Sequence, residues 1–382
     1  EVVTAGVMEI KTGKILAMST YPSFNPNERN ISTFNNYFLE GTIECGSVFK
    51  PFIYADSIEE GKYDHNAYYN SGSYNVYYGN KLVATIKDHN GGQGWGTITY
   101  DQGLYHSSNV AICNLLDQGY VTKDVLTEKL NDLGFFQGDT VDGLTCSSSI
   151  NAYTRKNAGR LEYLTTGFGQ GSTVTPYQLL KAYSVFGNDG KTVQPHIVDK
   201  VVNPETNKVV YQATPKYSKQ IFSTNTISQV KDLMLGVIED EQGTGKTYRL
   251  DNDVRMIGKT GTGQVVENGG YSTTLYMHSF VGIAPYDDPQ VVMFLTFKSG
   301  DSYAQYMPNI VKQTMNEALQ VVNRYNAKNT TAVDQSYTLD SYTNQSVNYV
   351  KSKLESKSLS VQIIGNGSSV IEQYPLAKSK VT

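Results

Sequence analysis

Ser47 and Lys50 stand three positions apart in the stretch Glu44-Cys45-Gly46-Ser47-Val48-Phe49-Lys50-Pro51-Phe52. Residues three apart on a helix share a face, so the lysine amine stands beside the serine hydroxyl. A free serine is a poor nucleophile and needs an adjacent base. A buried amine next to a second cation sheds its proton near neutral pH and can become that base. The pair therefore suits nucleophilic acyl transfer. The same spacing also arises on solvated helix faces, so it needs further residues to carry chemistry.

Two other stretches supply them. Ser107-Ser108-Asn109 precedes the apolar helical segment Val110–Leu116. A hydroxyl and an amide two apart on a turn can relay a proton and clamp a substrate amide. The alternative is that Ser107 or Ser108 only caps the helix. Lys259-Thr260-Gly261-Thr262 closes a predicted strand. A lysine there can attract a substrate carboxylate, Gly261 admits a close backbone, and donors on the strand can bind an oxyanion. The alternative is an ordinary exit from a strand.

Composition excludes other classes. The chain has 382 residues and a net charge of -4. Its length suggests roughly two or three domains, and the absence of a basic stripe argues against a nucleic-acid partner. Three cysteines, Cys45, Cys113 and Cys146, form neither a disulfide framework nor a metal-ligand spacing. They read as small core residues, and no histidine adjoins Cys45 to activate it. Nothing calls for a metal or cofactor. No apolar run reaches the ~20 residues of a membrane span, and no signal peptide is visible. The chain opens directly on a strand at Val2–Val7, so an anchor is expected upstream of it. The 29 tyrosines suit grooves and wet interfaces.

The elements that must position these residues follow from pattern. Val2–Ile10 and Lys14–Thr20 read as a hairpin about Lys11-Thr12-Gly13. Ser47–Glu60 reads as a helix ended by Gly61. Residues 68–100 read as loops with short strands, and Tyr68–Tyr78 and a loop over Gln264–Thr274 are expected to shape the groove. Helices are predicted over Thr122–Leu133, after the Thr175 cap with Pro176 at the first position, and over Thr226–Asp240. Strands follow at Val254–Thr260, His278–Ala284 and Gln290–Phe297. A helix over Tyr306–Arg324 then presents Ile310, Val311, Met315, Leu319 and Val322 on one side. Strands at both ends with helices between predict an α+β fold. One antiparallel sheet is completed by both termini, helices pack on it, and a helical subdomain is inserted. Residues 327–336 read as a linker to a small α/β unit, 337–382. That unit reads as extended at Tyr337–Asn344, helical at Gln345–Leu354 and strand-like at Leu359–Gly365 and Val370–Tyr374. A unit of about 45 residues is marginal on its own core.

Taken in order, the three motifs resemble the Ser-x-x-Lys, Ser-Asp-Asn and Lys-Thr-Gly set of penicillin-binding proteins and class A β-lactamases. The chain departs from it at Ser108, where the pattern has aspartate. Ala17-Met18-Ser19-Thr20-Tyr21-Pro22-Ser23-Phe24-Asn25-Pro26-Asn27, Gly167-Phe168-Gly169-Gln170-Gly171 with Thr175-Pro176, Pro195-His196 and Gly258–Gln264 extend the likeness. Residues 1–326 resemble the transpeptidase domain of class B penicillin-binding proteins. The terminal unit, from Ser346-Val347 through Gly365-Asn366-Gly367 to Val370-Ile371, resembles a PASTA domain.

The resemblance implies the penicillin-binding-protein and serine β-lactamase fold. It makes Ser47 the acyl-accepting nucleophile and Lys50 its base. Ser107 would pass a proton to the leaving amine, Asn109 would hold the peptide amide, and Lys259 would support the electrostatics. Thr260 and Thr262, with Gly261 between them, would meet the substrate carboxylate, and the backbone N–H groups of Ser47 and Thr262 would form the oxyanion hole. The implied activity is a cofactor-free D,D-transpeptidase that cross-links peptidoglycan stem peptides and is acylated by β-lactams. It would work on the extracytoplasmic face of the bacterial membrane with divisome or other cell-wall synthesis partners. A D,D-carboxypeptidase or β-lactamase-type hydrolase and a non-catalytic β-lactam or peptidoglycan sensor stay open. Intact motifs count against a dead enzyme, and a PASTA-like unit favours a cell-wall synthase.

Overall fold

A computed structural model describes every residue except 1, 29, 32, 252, 268–269, 300, 331–336, 356–358 and 382. The chain begins with β1 (Val2–Glu9) and β2 (Ile15–Tyr21). A 3-10 turn, Gly46–Phe49, leads into α1 (Lys50–Glu59). A hairpin of β3 (Ser73–Tyr78) and β4 (Lys81–Lys87) follows. Helices α2 (Tyr100–Tyr105), α3 (Asn109–Asp117), α4 (Lys123–Asp132), α5 (Pro176–Tyr183) and α6 (Thr224–Glu239) come next. The chain returns through β5 (Ile257–Glu267), β6 (Gly270–Ala284) and β7 (Val291–Ser299) to α7 (Met307–Thr330).

The returning strands close the sheet that the first hairpin opened. Its order is β5-β6-β7-β1-β2, and every pair is antiparallel, with Val3 opposite Phe297 where the first strand meets the last of the returning strands. Successive side chains of a strand point to opposite faces. On β7, Val292 and Phe294 enter the core shared with the helical block, while Val291, Met293 and Leu295 enter a second core beneath α7. That strand is apolar throughout because both of its faces are covered. Helix α7 fills the second core with Met307, Val311, Met315, Leu319 and Val322. Ile310, expected on that side, is exposed.

Helix α1 is buried from Lys50 to Ile58. Phe52 in its first turn meets the rings of Phe49, Phe135, Tyr183 and Phe186. A helix enclosed on all sides has no polar face to spare, so its polar residues need a reason. Ser57 donates to the Ile53 carbonyl at 2.8 Å. Asp56 is fully buried, and neither carboxyl oxygen has a hydrogen-bond partner among the described residues.

Several boundaries differ from the pattern reading. Helix α2 was missed, although Thr99 and Gln102 form its capping box, a signal written in the sequence. Residues 264–274 are not a loop, because β5 runs on to Glu267 and β6 starts at Gly270. Their β-branched and aromatic residues suit a pleated strand despite the interspersed glycines. Helix α7 continues to Thr330, so the first four residues of the expected linker are helical, as Ala327 and Lys328 favour. The remaining linker positions, 331–336, lie outside the described residues.

The chain divides into two compact units, 1–322 and 323–382. In the second, α8 (Val347–Glu355) contributes Val350 and Leu354 to a small core with Leu339 and Tyr342. Tyr337–Thr338 pairs with Lys380–Val381, so only the start of the expected extended stretch is a strand. Strands at 359–365 and 370–374 do not form among the described residues. Residues 368–370 instead bond back to 344–347, with Asn344 N donating to Val370 O at 2.7 Å and Val347 N to Ser368 O at 3.0 Å.

Burial drives the Asp56 carboxyl well above its usual range, with Glu60 and Glu59 adding to the rise and Lys129 opposing it. A carboxyl raised in the folded state favours folding fully only below its unfolded pKa, and that contribution is lost as pH rises toward the folded value. Asp56→Asn is therefore expected to raise the melting temperature at pH 7 by roughly 3–8 °C. The gain should shrink toward zero near pH 4. Calorimetry across that pH range checks it, and an equal gain at both ends would refute the assignment.

Candidate active site

The 3-10 turn decides how Ser47 and Lys50 relate. With three residues per turn, positions i and i+3 lie in line, and Lys50 N donates to the Ser47 carbonyl at the turn's end. Both side chains reach the same place at different depths. Ser47 lines a cleft of about 280 Å3 together with Ser107, Asn109, Thr260, Gly261 and Thr262. Lys50 lies beneath it, fully buried. Its Nζ donates to Ser107 O at 2.5 Å, to Asn109 Oδ1 at 2.8 Å and to Ser107 Oγ at 3.4 Å. Among the described residues no hydrogen bond joins it to Ser47 Oγ. Such contacts often tighten only when substrate binds.

Lys259 arrives on β5, the edge strand of the sheet, and is also fully buried. Its Nζ donates to Ser107 Oγ at 2.8 Å and to Thr260 O at 3.0 Å. One hydroxyl thus accepts from both lysines. A serine hydroxyl has two lone pairs and one proton, so Ser107 keeps its proton free to donate. Ser107 sits at φ 59°, a left-handed conformation uncommon outside glycine.

Burial works on both amines. It lowers Lys50 to about 7, against the upward pull of Asp88 and Cys113. Burial and the charge of Lys50 hold Lys259 well below the usual lysine range. Two ammonium groups gathered on one oxygen, away from water, favour loss of a proton.

The walls come from distant parts of the chain. The edge strand β5 packs against the turn that carries Ser47, and a Cβ on Gly261 would stand 2.9 Å from Cys45 O. From the other side Gly46 N donates to Gly169 O at 3.0 Å. Thr260 Oγ1 lies 2.8 Å from Thr244 Oγ1 in the glycine-rich loop after α6. Residues 68–78 and 264–274, expected to shape the groove, are absent from the described cleft lining.

The short motif after α2 has two roles. Ser108 does cap α3, accepting from Ala111 N at 3.1 Å. Ser107 and Asn109, on either side of it, face the lysines. Sequence reasoning missed Asp88, which follows β4 and bonds the backbone of this motif. It also missed His89 and Gln170, which line the cleft. Gln170 lay inside a quoted glycine-rich stretch, whereas Asp88 and His89 had no local signal.

The penicillin binding protein transpeptidase domain matches over residues 3–320. Stage V sporulation protein D of Bacillus subtilis (strain 168) is 30% identical, covering 99% of this chain and 59% of that protein. The probable peptidoglycan D,D-transpeptidase PenA of Neisseria flavescens is 27% identical, over 83% of this chain and 74% of its own. Penicillin-binding protein 3 of Mycobacterium tuberculosis, complexed with aztreonam, has the same fold. Its TM-score is 0.72 at 24% identity, over 85% of this chain and 73% of that one. The chain belongs to the penicillin-binding protein transpeptidase family, and the fold expected from the motifs is the one observed. It spans about three-fifths of the length of the sporulation protein.

A pair of glycines tests how closely the Ser47 turn is held. Gly169 has φ +75° and a Cβ there would meet Gly46 O at 2.2 Å, whereas Gly61 has φ +67° and open space. Gly61→Ala should cost about 1–2 kcal/mol from the left-handed backbone alone. Gly169→Ala should cost clearly more and slow any reaction at Ser47. Equal losses in denaturant titrations would show that the contact carries no weight.

Proposed function

We propose that this protein is a serine D,D-transpeptidase that cross-links peptidoglycan stem peptides and is acylated by β-lactams. The convergence of two buried lysines on Ser107 Oγ, at the wall of the cleft that Ser47 lines, carries the reading. Ser47 Oγ attacks the carbonyl carbon of the penultimate D-alanine and gives its proton to neutral Lys50. The tetrahedral oxyanion sits on the backbone N–H groups of Ser47 and Thr262. Donors of this kind are worth about 3 kcal/mol each. The C–N bond then breaks as Ser107 passes a proton to the departing D-alanine amine, and Lys50 returns to Ser107 the proton it took from Ser47. Asn109 holds the peptide amide, Lys259 supports the electrostatics, and Thr260 and Thr262 take the terminal carboxylate across Gly261. An amine of a second stem peptide then attacks the acyl carbon, the ester C–O bond breaks, and the proton the amine loses returns through Lys50 to Ser47 Oγ.

Residues 1–326 form the transpeptidase domain in this reading, and 337–382 a PASTA-like unit. The substrate lies outside the cytoplasm, so we place the enzyme on the extracytoplasmic face of the cell membrane. There it would be anchored through sequence beyond these residues, among divisome or other cell-wall synthesis partners. Among the described residues no helix is long and apolar enough to cross a membrane.

A labelled β-lactam should add covalently to Ser47, and Ser47→Ala should abolish labelling while leaving the protein folded. Intact-mass spectra without an adduct on the wild type would sink the acyl-transfer reading. The adduct should persist for many turnovers of a hydrolase, and rapid release would identify a β-lactamase-type enzyme instead.

Acylation also reports the base. Lys50 must be neutral to accept a proton, and burial holds it near 7. The second-order labelling rate is expected to rise with pH through about 7. Lys50→Arg, which cannot deprotonate, should lower it roughly 100-fold or more. A rate independent of pH between 5.5 and 8.5 would remove Lys50 from the role.

A further inference from the structure

The second motif lacks the aspartate at its middle position, yet a carboxylate stands beside it. Asp88, the residue after β4, is buried to 1% exposure. Its Oδ1 accepts from Ser108 Oγ at 2.8 Å, Asn109 N at 2.7 Å and Val110 N at 3.1 Å. Its Oδ2 accepts from Gly72 N at 2.8 Å. All these partners are donors, and three belong to the motif and the first turn of α3.

We propose that Asp88 is a positioning residue of the acyl-transfer site. Its carboxylate fixes Ser107 and Asn109 against the two lysines from behind the motif, through Ser108 Oγ and the first N–H groups of α3. The inference rests on the function proposed above. Its physical basis has three parts. An anion at a helix N-terminus satisfies N–H groups that have no partner within the helix, and Asp88 does this for Asn109 and Val110. Fixing Asn109 N and Ser108 Oγ leaves the 107–109 turn little freedom, which helps hold Ser107 in its left-handed conformation. The Asn109 amide is fixed at both ends, its Oδ1 by Lys50 and its Nδ2 donating to Lys87 O at 2.9 Å, one residue before Asp88.

The same carboxylate has a reach beyond the motif. The groups that face Lys50 are Asp88 after β4, His89 beside it, Cys113 on α3 and Lys259 on β5. Burial pushes the Cys113 thiol up and the His89 imidazole down, so both stay neutral. Lys259 is cationic or neutral. Asp88 is therefore the anion that opposes the desolvation of Lys50, and it keeps the amine basic enough to take a proton from Ser47. A carboxylate that only braced the fold would not set the pH at which the site works.

The test follows β-lactam labelling of Ser47 from pH 5 to 9, with thermal unfolding beside it. Asp88→Asn is expected to slow labelling roughly 100-fold. Removal of the anion lowers the Lys50 pKa, so the acid limb should move down by about one pH unit. The double variant Asp88→Asn with Ser108→Asp returns the carboxylate to the motif and should recover most of the rate and the wild-type limb. A folded Asp88→Asn protein with an unmoved limb overturns the proposal, whatever its rate. If Asp88→Asn does not fold, the double variant decides. Recovered labelling at the wild-type limb supports the proposal, and a displaced limb or a second failure to fold overturns it. Failure of wild-type protein to label at all would instead overturn the function on which the inference rests.

Discussion

The site depends on one costly arrangement, the enclosure of two lysine amines around a single hydroxyl. Lys50 and Lys259 each reach Ser107 Oγ, so their nitrogens lie no further apart than the sum of those two bonds. Removing an ammonium group from water costs several kcal/mol even after relaxation, and a like charge nearby adds to it. The cheapest relief is loss of a proton. The fold thereby favours a neutral amine near pH 7, the species that the proposed activation of Ser47 needs.

Such an arrangement persists only if the surroundings do not yield. Lys50 opens a helix buried from Lys50 to Ile58, and Lys259 sits on a strand paired along its length with β6. Neither element can turn outward without breaking the core or the sheet, so the amines cannot relax into water. The sheet joins the first nine residues of the chain to strands nearly three hundred positions later, which links the placement of Lys259 to the closure of the whole domain. Gly169 and Gly261 allow backbones to approach the Ser47 turn from two sides, and that contact holds Ser47 on the cleft lining.

Much of this was legible in local pattern. The hairpin at the start, the capped helix at Thr175-Pro176 and the amphipathic helix ending near Glu239 follow from turn chemistry and periodicity that act over a few residues. The eight proposed site residues meet at one cleft, six on its lining and two lysines beneath. Errors arose where two patterns competed. Glycine between Val266 and Tyr271 read as loop, although hairpin pairing tolerates it. In the terminal unit, apolar residues at 359–365 suggested a strand, but the neighbouring backbone had already found its partners in 344–347.

The sequence by itself determined which groups were present and at what spacing. Serine and lysine three apart fall in line on any helical turn, and a serine before a helix caps it, because both effects are local. Only the tertiary structure decided what those groups became. The proton balance of Lys50 comes from desolvation and from Asp88, 38 positions away in sequence. The carboxylate beside the second motif comes from the residue after β4, and the second buried lysine comes from β5, 152 positions after Ser107. Burial and Coulomb forces act through space, so no window of sequence contains them.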